Sequence, residues 1–168
     1  MAFHTQYLRW LAATLLISSG ICQAADLKSE ARYADISRGN VALISQIGSE
    51  NRTRVDQAGS SQQLQQVQNG VRNRAVITQT GTGNQAYVRQ NGNDNSLKLA
   101  QDGSYNQVVS TQEGANNSAV VSQAGAYNQA YIAQYGYGNQ ANVQQYGSHG
   151  TASVTQHGDN STATVTQW

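Results

Sequence analysis

The sequence predicts an all-β fold: a β-solenoid or cross-β stack of strand–turn–strand rungs with 22 residues in each rung. Glutamine recurs at every eleventh residue from Gln46 to Gln167. A glycine follows two residues after nearly every one of these glutamines, from Gly48 to Gly158. Between each glycine and the next glutamine, amide, small and aliphatic side chains fall at alternate positions, which is the two-residue period of a β-strand.

Four columns define the repeat, which has twelve units. The glutamine column comprises Gln46, Gln57, Gln68, Gln79, Gln90, Gln101, Gln112, Gln123, Gln134, Gln145, Gln156 and Gln167. The asparagine column, five residues after the glutamine, comprises Asn51, Asn73, Asn84, Asn95, Asn106, Asn117, Asn128 and Asn139. The glycine column comprises Gly48, Gly59, Gly70, Gly81, Gly92, Gly103, Gly114, Gly125, Gly136, Gly147 and Gly158. Small and aliphatic residues follow the asparagine site, as Ala75 and Ile77 follow Asn73.

The regular columns share one face of each strand, which we expect to point inward. The intervening positions vary widely, as Ser45, Asp56 and Arg89 show for a single column, so we expect them to face solvent. Glycine is predicted to form the tight turn between strands. Two strand–turn units then make one rung, and the twelve units give about six rungs.

The amides of the glutamine and asparagine columns are predicted to form stacking ladders along the axis. A buried amide without partners costs a few kcal/mol. Here each glutamine stacks on the one 22 residues away, so the N–H of one amide reaches the oxygen of the next. A slip of one residue would turn every inward side chain outward, so the ladders also set the register.

The same pattern argues against a helix and against disorder. Glycine in each unit, usually with asparagine, would weaken every helical turn, and the apolar face of such a helix would be almost empty. A solvated coil has no need for glutamine at every eleventh residue. The few leucine, isoleucine and phenylalanine residues also exclude a thick globular core.

The chain is predicted to have three segments. Residues 1–24 have the features of a secretory signal peptide, with Arg9 before an apolar run and small residues before a cleavage site after Ala24. Cleavage there removes Cys22, the single cysteine, so the mature chain would contain no disulfide. Residues 25–35 are assigned as an N-terminal targeting segment, and residues 36–168 as the repeat domain.

Charge is distributed unevenly along the repeats. Residues 38–98 carry seven basic side chains against the acidic Glu50, Asp56 and Asp94, a balance of +4, whereas residues 99–168 have only three acidic side chains. The basic half either orients the protein on an acidic cell-surface component or restrains aggregation from solvated faces. The mature chain has nine basic and nine acidic residues, which argues against nucleic-acid binding.

The sequence predicts no enzyme. His149 and His157 are the only histidines after the signal segment, and no acid or nucleophile lies at a repeated spacing from them. We therefore assign no catalytic, metal or cofactor-binding residues, no cofactor and no small-molecule substrate. A monomeric β-solenoid that binds ice or carbohydrate is a weaker alternative, suggested by Thr162, Thr164 and Thr166.

The repeat resembles that of the curlin family, the subunits of bacterial curli fibres. The family's repeat includes Gln-x-Gly-x-x-Asn-x-Ala-x3-Gln. Residues 123–134 read QAGAYNQAYIAQ, and residues 134–145 read QYGYGNQANVQQ. The resemblance covers essentially the whole mature chain. It implies a structural amyloid subunit of an extracellular, cell-surface-attached fibre, secreted through the outer membrane and serving biofilm formation and adhesion.

Within that family the chain looks more like the minor subunit, which nucleates the fibre, than like the major subunit, which forms its body. The eleven-residue spacing never varies, charged residues interrupt several strands, and the segment after Ala24 lacks a glycine-rich leader. The implied partners are the major curlin subunit, further copies of this chain, and an outer-membrane secretion channel with accessory factors. The major subunit remains the alternative.

Some units depart from the pattern and are expected to be weaker. In residues 58–68, Gln62 occupies the asparagine site and Gln66 the aliphatic site, while Ser110 replaces an aliphatic residue. Gly150 and Ser161 replace asparagine. The repeat runs to Gln167 without a proline or a helical cap, so its edge is expected to act as a template for added strands. Because of the weak unit, the later half, residues 119–167, is predicted to be the better template.

Overall fold

The structure is a computed structural model that describes residues 39–168, and in this range it consists of twelve β-strands and no helix. The predictions for residues 1–24 and 25–35 and for Arg38 lie outside the described residues. No helix within residues 39–168 is long and apolar enough to span a membrane.

The strands follow one another at intervals of eleven residues, separated by two-residue bends. They are β1 (Val41–Ser49), β2 (Arg52–Ser60), β3 (Gln63–Val71), β4 (Arg74–Thr82), β5 (Gln85–Asn93), β6 (Ser96–Ser104), β7 (Gln107–Ala115), β8 (Ser118–Ala126), β9 (Gln129–Tyr137), β10 (Gln140–Ser148), β11 (Thr151–Asp159) and β12 (Thr162–Gln167).

The strands form two six-stranded parallel sheets, and successive strands alternate between them. The first sheet has the order β1-β3-β5-β7-β9-β11, and the second has the order β12-β10-β8-β6-β4-β2. In every pair a residue lies opposite the one 22 positions later, as Gln90 lies opposite Gln112. Two strands therefore make one rung of 22 residues, which confirms the predicted β-solenoid of about six rungs.

The bends lie later in each unit than the sequence analysis places them. The glycine column falls inside the strands, and the chain turns two residues further on, as at Glu50 and Asn51. The first bend residue has a left-handed conformation in every unit, and nine of these residues are not glycine. The column glycines also have positive φ, so each unit contains two special backbone positions.

Glycine is needed in its column because the rungs approach closely there. Gly103 has φ of +115°, and a Cβ on it would collide with the carbonyl oxygen of Gly125 in the next rung. The last member of the column, Gly158, has φ of +92° and no atom within 4 Å of its notional Cβ. Stacking, and not the bend alone, therefore excludes side chains from this column.

A narrow apolar core lies between the two sheets. It is built from the small and aliphatic columns, with Ile77, Val88, Val121 and Val143 among its fully buried members. The inward glutamines and asparagines border it and are almost all buried as well. The varying positions between them face outward, as the alternation predicts.

Three inward positions, Gln62, Gln66 and Ser110, carry a polar atom without a partner. Ser110 lies in the aliphatic column between Val88 and Ile132, and its hydroxyl is buried with no hydrogen bond. Gln66 donates from Nε2 to Thr53 Oγ1 at 2.7 Å across the core, but its Oε1 has no partner. These sites lie in two of the units that depart from the repeat pattern.

The close approach of the glycine column predicts unequal effects of one substitution at two places. Gly103→Ala should lower the free energy of unfolding by about 3 kcal/mol or more, because both the φ strain and the contact with Gly125 must be relieved. Gly158→Ala, with strain but open space, should cost about 1–2 kcal/mol. Urea unfolding of the freshly prepared monomer measures both, and equal losses would contradict the stacking argument.

Filling the aliphatic column at Ser110 should stabilise the stack. Ser110→Val removes a buried hydroxyl that has no partner and adds apolar contact with Val88 and Ile132, so we expect the free energy of unfolding to rise by about 1–2 kcal/mol. Ser122→Val, at a half-buried outward position, should stay within about 0.5 kcal/mol of the parent chain. The same urea titration tests this pair, and a destabilised Ser110→Val variant would refute it.

Candidate assembly surface

The glutamine column forms two continuous hydrogen-bonded ladders, one in each sheet. In the first sheet, Nε2 of each glutamine donates to Oε1 of the glutamine 22 residues later. The distances are 2.6 Å from Gln46 to Gln68, 2.6 Å from Gln68 to Gln90, 2.8 Å from Gln90 to Gln112, 2.9 Å from Gln112 to Gln134 and 2.9 Å from Gln134 to Gln156. In the second sheet the bonds from Gln57, Gln79, Gln101, Gln123 and Gln145, ending at Gln167, are 2.8–3.0 Å long.

The second proton of each glutamine amide ties the two sheets together. Gln112 Nε2, for example, donates to the backbone oxygen of Ser96 on the opposite sheet at 3.0 Å, and Gln145 Nε2 reaches Gln129 O at 3.0 Å. Glutamines from Gln57 onward make this bond to the residue sixteen positions earlier. Both amide protons are therefore used in the interior of the stack, which removes most of the cost of burying the group.

The asparagine column fixes the bends. Asn73 Nδ2 donates to Gly92 O in the next rung at 2.8 Å, while Asn73 Oδ1 accepts the backbone N–H of Asn95 at 3.1 Å. The same pair of contacts recurs along both sides of the stack, at Asn95, Asn106 and Asn117 among others. Each asparagine thus fixes, by hydrogen bonds, the glycine and the bend of the next rung toward the C-terminus.

The glutamine ladders and the bonds accepted by asparagine Oδ1 run in opposite senses. Glutamine side chains donate toward the C-terminal rungs, whereas the backbone N–H at each asparagine site donates toward the N-terminal rungs. The stack therefore has a direction, and its two ends present different groups. Gln46 and Gln57 offer Oε1 at the β1–β2 end, and Gln156 and Gln167 offer Nε2 at the β11–β12 end.

Asn40 is a member of the asparagine column that the sequence analysis missed. It lies eleven residues before Asn51, its Nδ2 donates to Gly59 O at 3.3 Å and its Oδ1 accepts from Gln62 N at 3.1 Å. The spacing alone was sufficient to find it. Gln62 itself keeps the Nε2 bonds of an asparagine, to Ala58 O at 2.6 Å and Gly81 O at 3.2 Å, but its Oε1 is buried without a partner.

The outward charges are partly paired. Arg72 forms a two-pronged ion pair with Asp94 in the next rung, with both bonds 2.7 Å long. The side-chain hydrogen bond from Arg72 lowers the pKa of Asp94, and the same bond raises the pKa of Arg72. The stability that this pair supplies is present above the unfolded-state pKa of Asp94 and is lost as the pH falls through the lowered pKa. The pair is exposed, so its contribution is small.

A basic face lies on the outer side of the second sheet near β2. Arg52 lies directly opposite Arg74 in the parallel register, as the 22-residue spacing predicts, and Lys98 lies one strand further along. Arg54 is paired with Asp56 at 2.9 Å. Like charges one rung apart oppose stacking, so this face weakens the N-terminal half of the second sheet.

Aromatic side chains stack along the axis in the later rungs. The Tyr105 and Tyr127 rings are 5.2 Å apart, and His149 continues the same column at 5.1 Å from Tyr127. Tyr135 stacks on His157 at 4.9 Å. Both histidines are thus parts of aromatic columns, and no group of three or more side chains suited to a metal lies within residues 39–168.

Three stretches of the chain match a family model described as the curlin associated repeat, at residues 67–92, 92–125 and 114–147. These matches include strands β4 to β9 in full. Comparison with curated proteins and with solved structures gives no significant match. Over residues 67–147 the chain is therefore similar to proteins that contain the curlin repeat.

Proposed function

We propose that this chain is the minor curlin subunit, which presents a folded edge at the cell surface and nucleates polymerisation of the major subunit. The fibre would serve biofilm formation and adhesion. Export would proceed through a signal peptide at residues 1–24 and an outer-membrane secretion channel. The basic face near Arg52 and Arg74 is a candidate for contact with an acidic component of the surface.

The observation that carries the proposal is that both ladders are open at the ends of the described stack. Within residues 39–168, β1, β2, β11 and β12 each pair with one strand only. An added rung of the same repeat continues the backbone pairing, the glutamine ladder and the glycine contacts without any rearrangement. The edge is therefore a ready template for a chain with the same eleven-residue period.

Two features favour the nucleating subunit over the subunit of the fibre body. All twelve units keep one spacing, so no longer linker interrupts the rungs. Like charges at Arg52 and Arg74 and polar core positions such as Gln66 restrain spontaneous stacking. A chain that folds into a regular edge but self-assembles reluctantly is suited to starting a fibre made mainly of another subunit.

A seeding experiment tests the nucleator role. A trace of purified chain is added to monomeric major curlin subunit, and fibre growth is followed by dye fluorescence. We expect the lag to shorten severalfold, because a folded edge replaces the slow formation of a first nucleus. An unchanged lag would contradict the proposal. Rapid self-assembly of the chain alone, with a full yield of fibres, would favour the major-subunit alternative.

The inward ladder should matter more to templating than an outward amide of the same chemistry. Gln134→Leu or Gln145→Leu leaves ladder neighbours without partners, and we expect a loss of about 2–4 kcal/mol in the free energy of unfolding and a clearly longer seeded lag. Gln129→Leu, on the exposed outer side of β9, is the matched control and should leave both nearly unchanged. Equal effects of the inward and outward substitutions would argue against a ladder function.

A further inference from the structure

The two rims of the described stack differ in the groups that they offer to an added rung. We call the strand pair β1 and β2, with Asn40 and Asn51, the first rim. The strand pair β11 and β12, with Gly150 and Ser161, is the last rim. A rung added to either rim would continue the glutamine ladder, since one rim offers Oε1 and the other offers Nε2.

The asparagine column distinguishes the rims. In the interior, Oδ1 of each asparagine accepts the backbone N–H of the next rung, as Asn128 accepts from Gly150 N at 2.9 Å and Asn139 accepts from Ser161 N at 3.0 Å. Gly150 and Ser161 have no side-chain amide oxygen that could accept the backbone N–H of a further rung. A rung stacked on the last rim therefore finds neither of the two Oδ1 acceptors that a rung with two asparagines supplies.

The interior of the stack shows that a different side chain in this column loses the acceptor bond. Gln62 occupies the asparagine site one rung above Asn40, and the additional methylene leaves its Oε1 buried without a partner. The amide must have the length of asparagine to accept from the next backbone N–H. Gly150 and Ser161 depart further from that geometry, since one has no side chain and the other has only a hydroxyl.

The outward side chains of the two rims also favour docking at the first rim. Three large apolar side chains are exposed on β1, namely Val41 at 47%, Leu43 at 62% and Ile47 at 61%. At the last rim, the rows of Val41 and Leu43 end on β11 at Thr151 and Ser153, and the row of Ile47 ends at His157. Apolar side chains gain from being covered, whereas hydroxyl side chains are well solvated.

We propose that the first rim is the docking rim, and that its partner is a curlin-repeat chain whose terminal rung carries asparagine at both bend positions. The backbone N–H groups of Asn40 and Asn51 would donate to the two partner Oδ1 atoms, and the partner's glutamines would donate to Gln46 and Gln57 Oε1. A second copy of this chain fits less well, because its last rim has Gly150 and Ser161 in place of those asparagines.

This inference rests on the proposed function and adds a direction and a partner preference to it. It also differs from the expectation that the later half of the chain is the better template. The closer fit of its units to the repeat pattern favours residues 119–167 as the template. The hydrogen-bonding groups that an added rung would meet favour the first rim. The docking rim is thus selected by donors and acceptors that have no partner within residues 39–168, and not by the stability of the rung beneath it.

The test measures capture of a labelled chain by the immobilised protein. The protein is attached through Val120→Cys, an exposed outward position in the middle of the second sheet, in a Cys22→Ser background. The probe is a variant of the same chain with Gly150→Asn and Ser161→Asn, which gives its last rim the complete asparagine column. Val55→Lys in this probe blocks its own first rim, so that each captured probe ends growth. A second probe carries Val165→Lys instead, so that only its first rim is open and it can be captured only by the last rim of the immobilised protein.

Two matched variants of the immobilised protein identify the rim. Val55 and Val165 occupy the same inward column of the second sheet at opposite rims, and both are partly buried. A lysine at either position can reach solvent in the free chain but would be buried by an added rung, which is strongly unfavourable. Circular dichroism checks that both variants fold, and Ala42→Lys on β1 is a second blocking variant for the first rim.

We expect Val55→Lys and Ala42→Lys to reduce initial capture at least about tenfold and Val165→Lys to leave it unchanged. The same probe without the two asparagine substitutions should be captured at least about tenfold more slowly. Loss of capture by Val165→Lys alone, or equal capture of the two probes, would overturn the inference. Equal capture of the probe blocked by Val55→Lys and the probe blocked by Val165→Lys would overturn the docking direction and leave the fibre-subunit proposal intact, whereas no capture of any probe would contradict both.

Discussion

The stacking of each rung on an identical rung 22 residues later is the constraint on which the rest of the structure depends. A row of glutamines in a thin core is tolerable only because every amide finds the next one in the same position, as Gln90 finds Gln112. That condition requires a constant spacing, since a unit of ten or twelve residues would move its glutamine out of the row. The unvarying period is thus a consequence of amide burial.

The bend obeys the same constraint through a different pair of residues. Positive φ at the column glycine turns its carbonyl toward the asparagine of the preceding rung. Asn73 Nδ2, for example, donates a hydrogen bond to Gly92 O. This contact helps to hold the left-handed bend residue that follows, which is not glycine in nine units and is individually unfavourable. Glycine and asparagine therefore act together across rungs. Where glutamine replaces asparagine, at Gln62, the bond to Gly81 O is kept but the amide oxygen is left buried without a partner.

The period was sufficient to predict the fold class, the inward columns and the apolar strip between the sheets. It did not predict the limits of the strands, because the left-handed bend position is occupied by residues as different as Glu50, Arg72 and Tyr127 and leaves no common signal. It also did not show that Thr53 would lie across the core from Gln66 and accept its amide proton. Such cross-sheet contacts depend on the offset between the sheets, which a one-dimensional repeat does not contain.

The direction of the ladders was equally hidden, because an amide carries both a donor and an acceptor and its sequence position says nothing about which points forward. Once Gln46 donates to Gln68, every later glutamine must donate in the same sense, and the two ends become chemically different. In a stack of nearly identical rungs, selectivity for a partner can then reside only where a terminal rung departs from the repeat. Gly150 and Ser161 are such departures, because neither carries the amide oxygen that accepts the backbone N–H of the next rung.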